Sequence, residues 1–279
     1  MNGSGVESHA ASSPSSGTVY KKERPKLSVV IGGDTRKPYV SLACAQSIKR
    51  FTGDKYPIQI MDTEMLRKAG VYYRQKEVRG KQAYDVIDGK PFSTDFSFSR
   101  FLIPPLFGYL GGWVMFCDDD FLWRASIEGL VPLLDDSKAV MVVKHDHNPS
   151  QGIKMDGQIQ TQNRRKNWSS VTLWNLSHPG NRKVTVDAVN TGSGAYLHQF
   201  GWLGDNEIGS LPEKWNWLEG HSSVDIDPVG VHYTRGGPWL SAYRDSAYAN
   251  EWLDVHFSSL NEIARDYSSQ RNVILAFGV

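Results

Sequence analysis

Trp113-Val114-Met115-Phe116-Cys117 is wholly apolar and runs without a break into Asp118-Asp119-Asp120. An apolar run with no alternation predicts a strand covered on both faces, as in the middle of a parallel sheet. The three carboxylates that follow repel one another and resist burial unless something positive meets them. In an extended or tightly turned backbone, Asp118 and Asp120 point to the same side. That spacing suits a hard divalent cation, Mn²⁺ or Mg²⁺, which takes oxygen ligands and keeps positions open for phosphate oxygens. A second pair, Asp225-Ile226-Asp227, lies in a polar stretch before Pro228 and reads as a solvated turn.

Elements alternate around that strand. Leu27-Ser28-Val29-Val30-Ile31 predicts a buried strand that stops at a turn made by Gly32, Gly33 and Asp34. Pro38 suits the first turn of a helix to about Arg50, with Val40, Cys44 and Ile48 on one face. Pro57 to Met61 predicts the next strand, which makes a parallel crossover unit. The stretch from Ser97 to Tyr109 is expected to be helical in its first half and interrupted at Pro104-Pro105. A helix over Ser126–Leu134 follows, then strands over Ala139–Val143, Val171–Trp174 and Val229–Tyr233. A long amphipathic helix from about Tyr243 to Tyr267 closes the chain. In such sheets ligands bind beyond the carboxyl ends of the strands, where Gly32-Gly33-Asp34 and Asp118-Asp119-Asp120 both fall.

Composition excludes several classes. The 279 residues carry 31 Lys plus Arg against 30 Asp plus Glu, so no global field recruits nucleic acid or an anionic membrane. Arg164-Arg165-Lys166 is a short basic run of the kind found in solvated loops. The length suits about two domains at ~150 residues each, or one large α/β domain. Residues 1–26, rich in Ser, Gly and Ala, are expected to form a flexible tail. The longest apolar stretch, Phe101 to Phe116, is broken by prolines and glycines and falls short of the ~18 residues of a spanning helix. No basic start followed by an apolar run marks a secretory leader. Cys44 and Cys117 are too few for a disulfide framework or a thiolate cage, so a reducing, cytoplasmic compartment is expected. Among the aromatics, Trp168, Trp174, Trp202, Trp215, Trp217 and Trp239 serve either as sugar-stacking platforms or as core. By strand alternation Trp215 and Trp217 would share a face.

His232 lies near the end of a strand, before Thr234-Arg235-Gly236-Gly237. An imidazole there can reach a metal while backbone N–H groups approach phosphate; it can equally be a satisfied structural histidine. Arg235 has the reach to neutralise a diphosphate, or is a surface arginine. His145-Asp146-His147 also follows an apolar strand, and His145 and His147 share a face at a spacing used in zinc and two-metal hydrolases. Lys144 and Lys154 oppose a cation there, and the same histidines can instead line a sugar pocket beside Lys154-Met155-Asp156-Gly157.

Taken in order, the strand ending at Asp34, Phe98-Ser99-Arg100-Phe101, Phe116 to Asp120, His232-Tyr233 and Pro238-Trp239 resemble glycosyltransferase family eight. These are retaining GT-A enzymes that include glycogenin and bacterial lipopolysaccharide galactosyl- and glucosyltransferases. The likeness runs from about Leu27 to Trp239, and Arg164 to Ser170 is closest to a bacterial-type branch. The resemblance implies a single α/β domain of GT-A type over 27–279, with a mostly parallel twisted sheet flanked by helices. Residues 27–145 would be the nucleotide-binding half, and 146–279 the acceptor half with the C-terminal helix.

The resemblance also implies a nucleotide-sugar donor, usually UDP-linked, and Mn²⁺ (or Mg²⁺) held by Asp118, Asp120 and His232. Asp34 would lie near the base or ribose and Arg100 would contact the donor. Gly32, Gly33, Asp119, Arg235 and Gly236 would flank the donor, and Asn167, Ser169 and Ser170 loosely match a segment near the donor sugar. Two departures stand out. The family's lysine before Pro-Trp is replaced by Gly237, leaving Arg235 as the candidate substitute. The family's Asp-Gln-Asp is absent from Thr191 to Tyr196, so Asp156, Gln158 and Asp187 become the catalytic candidates. The expected reaction moves a hexose, with retention, to a hydroxyl on a saccharide, lipid-linked or protein acceptor, a lipid-linked acceptor implying peripheral contact with a membrane. The rival readings are a metal-dependent hydrolase using His145 and His147, and a non-catalytic carbohydrate-binding module.

Overall fold

Six strands build the central sheet of the computed structural model, which describes Met1 and residues 27–145, 152–153, 159–160 and 167–276. In chain order the first elements are β1 (Leu27–Gly33), α1 (Pro38–Thr52), β2 (Ile58–Asp62), α2 (Thr63–Lys68), β3 (Lys76–Arg79), β4 (Gln82–Asp85), β5 (Pro91–Phe92) and α3 (Ile103–Leu106). The middle holds β6 (Trp113–Cys117), β7 (Phe121–Trp123), β8 (Val140–Val142), β9 (Gly152–Ile153), β10 (Ile159–Gln160) and β11 (Val171–Asn175). Then come α4 (Val186–Thr191), α5 (Gly194–His198), β12 (Ile208–Ser210), β13 (Trp217–Leu218), β14 (Gly230–His232) and α6 (Ala249–Ala276).

The central order is β12-β8-β11-β6-β1-β2, and only β11 runs against the rest. The mixed, mostly parallel α/β class expected of the sequence is therefore observed. The apolar run of β6 lies inside the sheet between β1 and β11, and all of it is buried. Its residues alternate between two cores, as strand geometry requires. Val114 and Phe116 join Phe96, Phe101 and Trp174 on one face, while Met115 and Cys117 join Cys44 and Ile48 of α1 on the other.

A smaller sheet, β13-β14-β7, stands beside α1. Leu122 and Val231 from that sheet, Val40 from α1 and Trp252 and Val255 from α6 close a third core. Ser47 of α1 accepts the Trp123 N–H at 3.1 Å, which ties the helix to β7. The hairpin β3-β4-β5, unforeseen in the sequence, is anchored by the buried pair Arg74–Asp85 at 2.9 and 2.6 Å. Arg74 also donates to the Val189 and Gly192 carbonyls, at 2.8 and 2.7 Å.

Several local expectations need correction. β1 does not stop at Ile31 but continues through Gly32 and Gly33. A Cβ at Gly32 would sit 2.5 Å from the Phe96 ring, and one at Gly33 2.8 Å from Ile60, so close packing accounts for both glycines. Pro104 and Pro105 do not interrupt a helix; they lie within the single turn of α3, fed by 3₁₀ turns at Asp95–Ser97 and Ser99–Leu102. A first-turn proline forfeits no intrahelical bond, which is why they are tolerated. Ser126 caps a 3₁₀ segment, Ile127–Leu133, that accommodates Pro132. The closing helix starts at Ala249 rather than Tyr243 and extends past Tyr267. Trp215 and Trp217 do not share a face: Trp215 packs beneath the central sheet and Trp217 in the third core. The 3₁₀ turn ending at Trp215 and the irregular backbone of Asn216 break the alternation. Among the described residues no helix is long and apolar enough to cross a membrane.

Candidate active site

β6 ends at Cys117, and the chain turns through the aspartates straight into β7 of the smaller sheet. β14 pairs antiparallel with β7, with His232 opposite Phe121. The two rings stack at 4.5 Å and 21°, and the Tyr233 N–H donates to the Asp120 carbonyl at 3.0 Å. This register brings His232 Nε2 to 3.3 Å from Asp120 Oδ1. One ligand atom from each of Asp118, Asp120 and His232 lies within 4.8 Å of the others, and among the described residues this is the one such group.

The cluster is electrostatically tense. Two carboxylates about 5 Å apart repel by roughly 3 kcal/mol at an effective dielectric of about 20. Burial pushes the Asp118 carboxyl above the ordinary carboxylate range, against the pull of Arg100. Arg100 Nη1 meets Asp118 Oδ1 at 2.8 Å and donates to the Ser169 carbonyl at 3.0 Å, while its guanidinium lies beside the Phe96 and Phe116 rings. Asp119 is fully buried, and burial raises its carboxyl strongly; Lys37 Nζ, 3.8 Å away, works the other way.

The chemistry of the donor set fits a divalent cation. Ser170 Oγ donates to the Asn167 carbonyl at 2.6 Å, so it accepts from Asn216 Nδ2 at 3.0 Å. Asn216 Nδ2 also donates to the Asn167 carbonyl at 3.2 Å, which fixes the amide orientation. Asn216 Oδ1 therefore accepts from His232 Nδ1 at 3.0 Å, and Nδ1 carries the proton. With Nδ1 committed to Asn216, Nε2 faces Asp120 and is the ring nitrogen placed to serve as a metal ligand.

Beside the cluster opens a cavity of about 540 Å³, within the usual size of a ligand pocket. Asp120 is the member of the trio that reaches it, so an ion held by the trio would border the cavity. Asp34, Arg235 and Gly236, expected at the donor, also line its wall. Asp34 is gripped by Arg36 through Nε at 2.8 Å, Nη2 at 2.5 Å and the backbone N–H at 3.0 Å. Burial alone would raise the Asp34 carboxyl, but the Arg36 hydrogen bonds outweigh it and hold the group below its ordinary value. Gly236 adopts φ 132°, a conformation that suits glycine. Arg235 Nη2 is paired with Glu219 Oε2 at 2.7 Å.

Other expected donor residues do not line the cavity. Arg100 is buried against Asp118, Asp119 is buried under Lys37, and Gly32 and Gly33 are sealed within the sheet. Asn167, Ser169 and Ser170 brace the site from behind: Asn167 takes the left-handed conformation at φ 62°, and the Ser170 carbonyl accepts the Asp118 N–H at 2.9 Å. Asp187 is on the surface, accepting from Tyr73 Oη at 2.9 Å. Asp156, Gln158, Asp146 and His147 lie outside the described residues, as do residues 2–26 and Arg164-Arg165-Lys166. His145 is buried and its carbonyl accepts from Trp168 Nε1 at 3.2 Å. Asp227 of the second Asp-x-Asp pairs with Arg124 at 2.8 Å on the surface, as a solvated turn would.

Residues the sequence reading missed are Arg36, Lys37, Asn216 and Glu219. Lys37 had a signal: it directly precedes the helix-opening Pro38, beyond the carboxyl end of β1 as the aspartates lie beyond that of β6. Asn216 had none, because its role depends on a ring from β14.

The architecture is that of solved glycosyltransferases. It is similar to the bifunctional glycosyltransferase WbbM with a TM-score of 0.56 and 13% identity, over 82% of this chain and 49% of that one. It is similar to the glycosyltransferase GlyE of Streptococcus pneumoniae with a TM-score of 0.51 and 15% identity, over 84% of this chain and 63% of that one. The chain thus spans about half of WbbM and less than two thirds of GlyE. At such identities the likeness establishes a shared GT-A fold. The chain belongs to the family of Protein CDI of Arabidopsis thaliana, with which it is 43% identical over 237 residues, 83% of this chain and 86% of the relative. No family-level sequence profile matches it.

Proposed function

We propose that the protein is a divalent-metal-dependent glycosyltransferase that moves a hexose, with retention, from a nucleotide-sugar to a hydroxyl acceptor. The carrying observation is the Asp118, Asp120 and His232 group at the carboxyl end of the sheet, opening through Asp120 onto the cavity. A UDP-linked donor, Mn²⁺ as the ion and membership of glycosyltransferase family eight are part of this reading, from the resemblance of the ordered motifs. Residues 27–145 would hold the donor and 146–279 the acceptor.

Bound at the trio, a divalent cation supplies positive charge to the diphosphate oxygens of a leaving nucleotide. Arg100 holds Asp118 in place from the buried side, and Asn216 keeps His232 Nε2 available as a ligand. Asp34 and Arg36 line the cavity, where a ribose or base would rest. The acceptor hydroxyl oxygen bonds to the anomeric carbon as the bond from that carbon to the diphosphate oxygen breaks. The electron pair leaves with the diphosphate, and the hydroxyl proton passes to a base. The buried thiols Cys44 and Cys117, with Sγ atoms 3.9 Å apart and free, support a reducing, cytoplasmic setting.

Isothermal titration tests the reading. UDP should bind in the presence of Mn²⁺, bind far more weakly without it, and lose that dependence in Asp118→Ala/Asp120→Ala. Binding of UDP that ignores both Mn²⁺ and the double substitution would reject it. A thermal-shift screen of nucleotide-sugars then identifies the donor, since a ligand at about 100 times its Kd stabilises by about 2.7 kcal/mol.

A further inference from the structure

Four cationic side chains line the cavity: Arg36, Lys37, Lys81 and Arg235. Arg36 is clamped to Asp34 and Arg235 to Glu219. Lys37 is placed differently. It is the residue before α1, so the first turn of that helix and the end of β1 set its position beside the aspartates. Its Nζ lies 3.8 Å from Asp119 Oδ1, which is an ion-pair distance rather than a hydrogen bond, and 5.4 Å from the Trp239 ring centre. The side chain keeps 25% of its surface, on the cavity wall it shares with Asp120. Burial disfavours the ammonium, but Asp119, Asp120 and Asp34 more than compensate and hold Lys37 charged.

Position 237 of the loop before Pro238 has no room for a cationic side chain. A Cβ at Gly237 would lie 2.2 Å from the Trp239 ring, so the indole fills the space a side chain at 237 would enter. The same indole lies under Lys37. We propose that Lys37 is the side chain that meets the donor diphosphate, a charge delivered from the start of α1 across Trp239 rather than from the loop before Pro238. This assignment rests on the nucleotide-sugar reading above, and it displaces Arg235 as the substitute for the missing lysine. Three N–H donors on a compact ammonium suit phosphate oxygens of varied geometry.

Titration of UDP in Mn²⁺ against wild type, Lys37→Met and Lys37→Met/Asp119→Asn tests it. A purely structural Lys37 would only balance Asp119. In that case the single variant loses melting temperature, the double variant regains it, and both bind UDP like wild type; that result overturns the proposal. The expected result is that the double variant regains its melting temperature and takes up Mn²⁺ normally, yet binds UDP roughly 10- to 100-fold more weakly, the scale of a lost charge-assisted hydrogen bond. Lys37→Arg should recover part of that affinity. If wild type binds Mn²⁺ but no UDP, the nucleotide-sugar reading fails and takes this proposal with it; if wild type binds UDP and the double variant matches it, only Lys37 has been misassigned.

Discussion

His232 stands opposite Phe121 in the pairing of β14 with β7, and the two rings stack at 4.5 Å. That one register position puts an imidazole from late in the chain next to Asp120. A slip of a single residue would turn the ring to the other face of the small sheet and dissolve the cluster. The stack and the Asn216 hydrogen bond hold it from two directions.

Asp120→Asn should invert the order of melting temperatures when Mn²⁺ is added. Without metal the substitution removes a like charge from beside Asp118. The variant should then melt about 2–4 °C above wild type, the shift about 1 kcal/mol produces in a chain of this size. With Mn²⁺ at about 100 times its Kd, wild type gains about 2.7 kcal/mol and the variant gains little. Differential scanning calorimetry with and without the ion reads both arms.

Asn216→Leu should cost metal affinity and stability together. The His232 Nδ1–H loses its acceptor inside the protein, and the ring is free to rotate or change tautomer. A lost outer-shell partner lowers metal affinity by about 10- to 100-fold. An unsatisfied buried donor lowers stability by about 1–3 kcal/mol. Asn216→Asp keeps an acceptor at the same place and should hold Mn²⁺ better than the leucine variant in a calorimetric titration.

Arg36→Leu carries a defined pH signature. Asp34 has no exposed side-chain surface, whereas Arg36 keeps 57% of its own, so the loss at pH 7 should be about 1–2 kcal/mol rather than that of a fully buried pair. With Arg36 present, the folded-state value of Asp34 lies below its ordinary 3.8. Its contribution is therefore complete above about pH 4 and is lost as pH falls through the lowered folded value. Urea unfolding should show the gap between wild type and variant wide at pH 7 and narrowing as pH falls, because buried Asp34 without the guanidinium takes up its proton at higher pH than in wild type. A gap independent of pH would mean the guanidinium acts through packing alone.

Gly32→Ala should lower stability by about 1–3 kcal/mol, because the added methyl meets the Phe96 ring within the sheet layer. Shrinking that ring with Phe96→Leu in the same chain should recover part of the loss in chemical denaturation. A glycine retained only for a phosphate turn would show neither effect.

What the sequence by itself determined is what neighbouring residues encode together. The unbroken apolar run of β6 predicts cover on both faces, and the two cores on either side of Phe116 and Met115 supply it. The spacing of Asp118 and Asp120 and the helix start at Pro38 are equally local, and both are found. Tertiary structure alone decided which charges face which. Arg100 belongs to Asp118, Arg36 to Asp34 and Arg235 to Glu219, and Lys37 lies over Trp239. Asn216 chooses the His232 tautomer only because an irregular turn separates Trp215 from Trp217. The reason is physical: burial and period are properties of a short segment, while the partner of a buried charge depends on strand register and on where loops return.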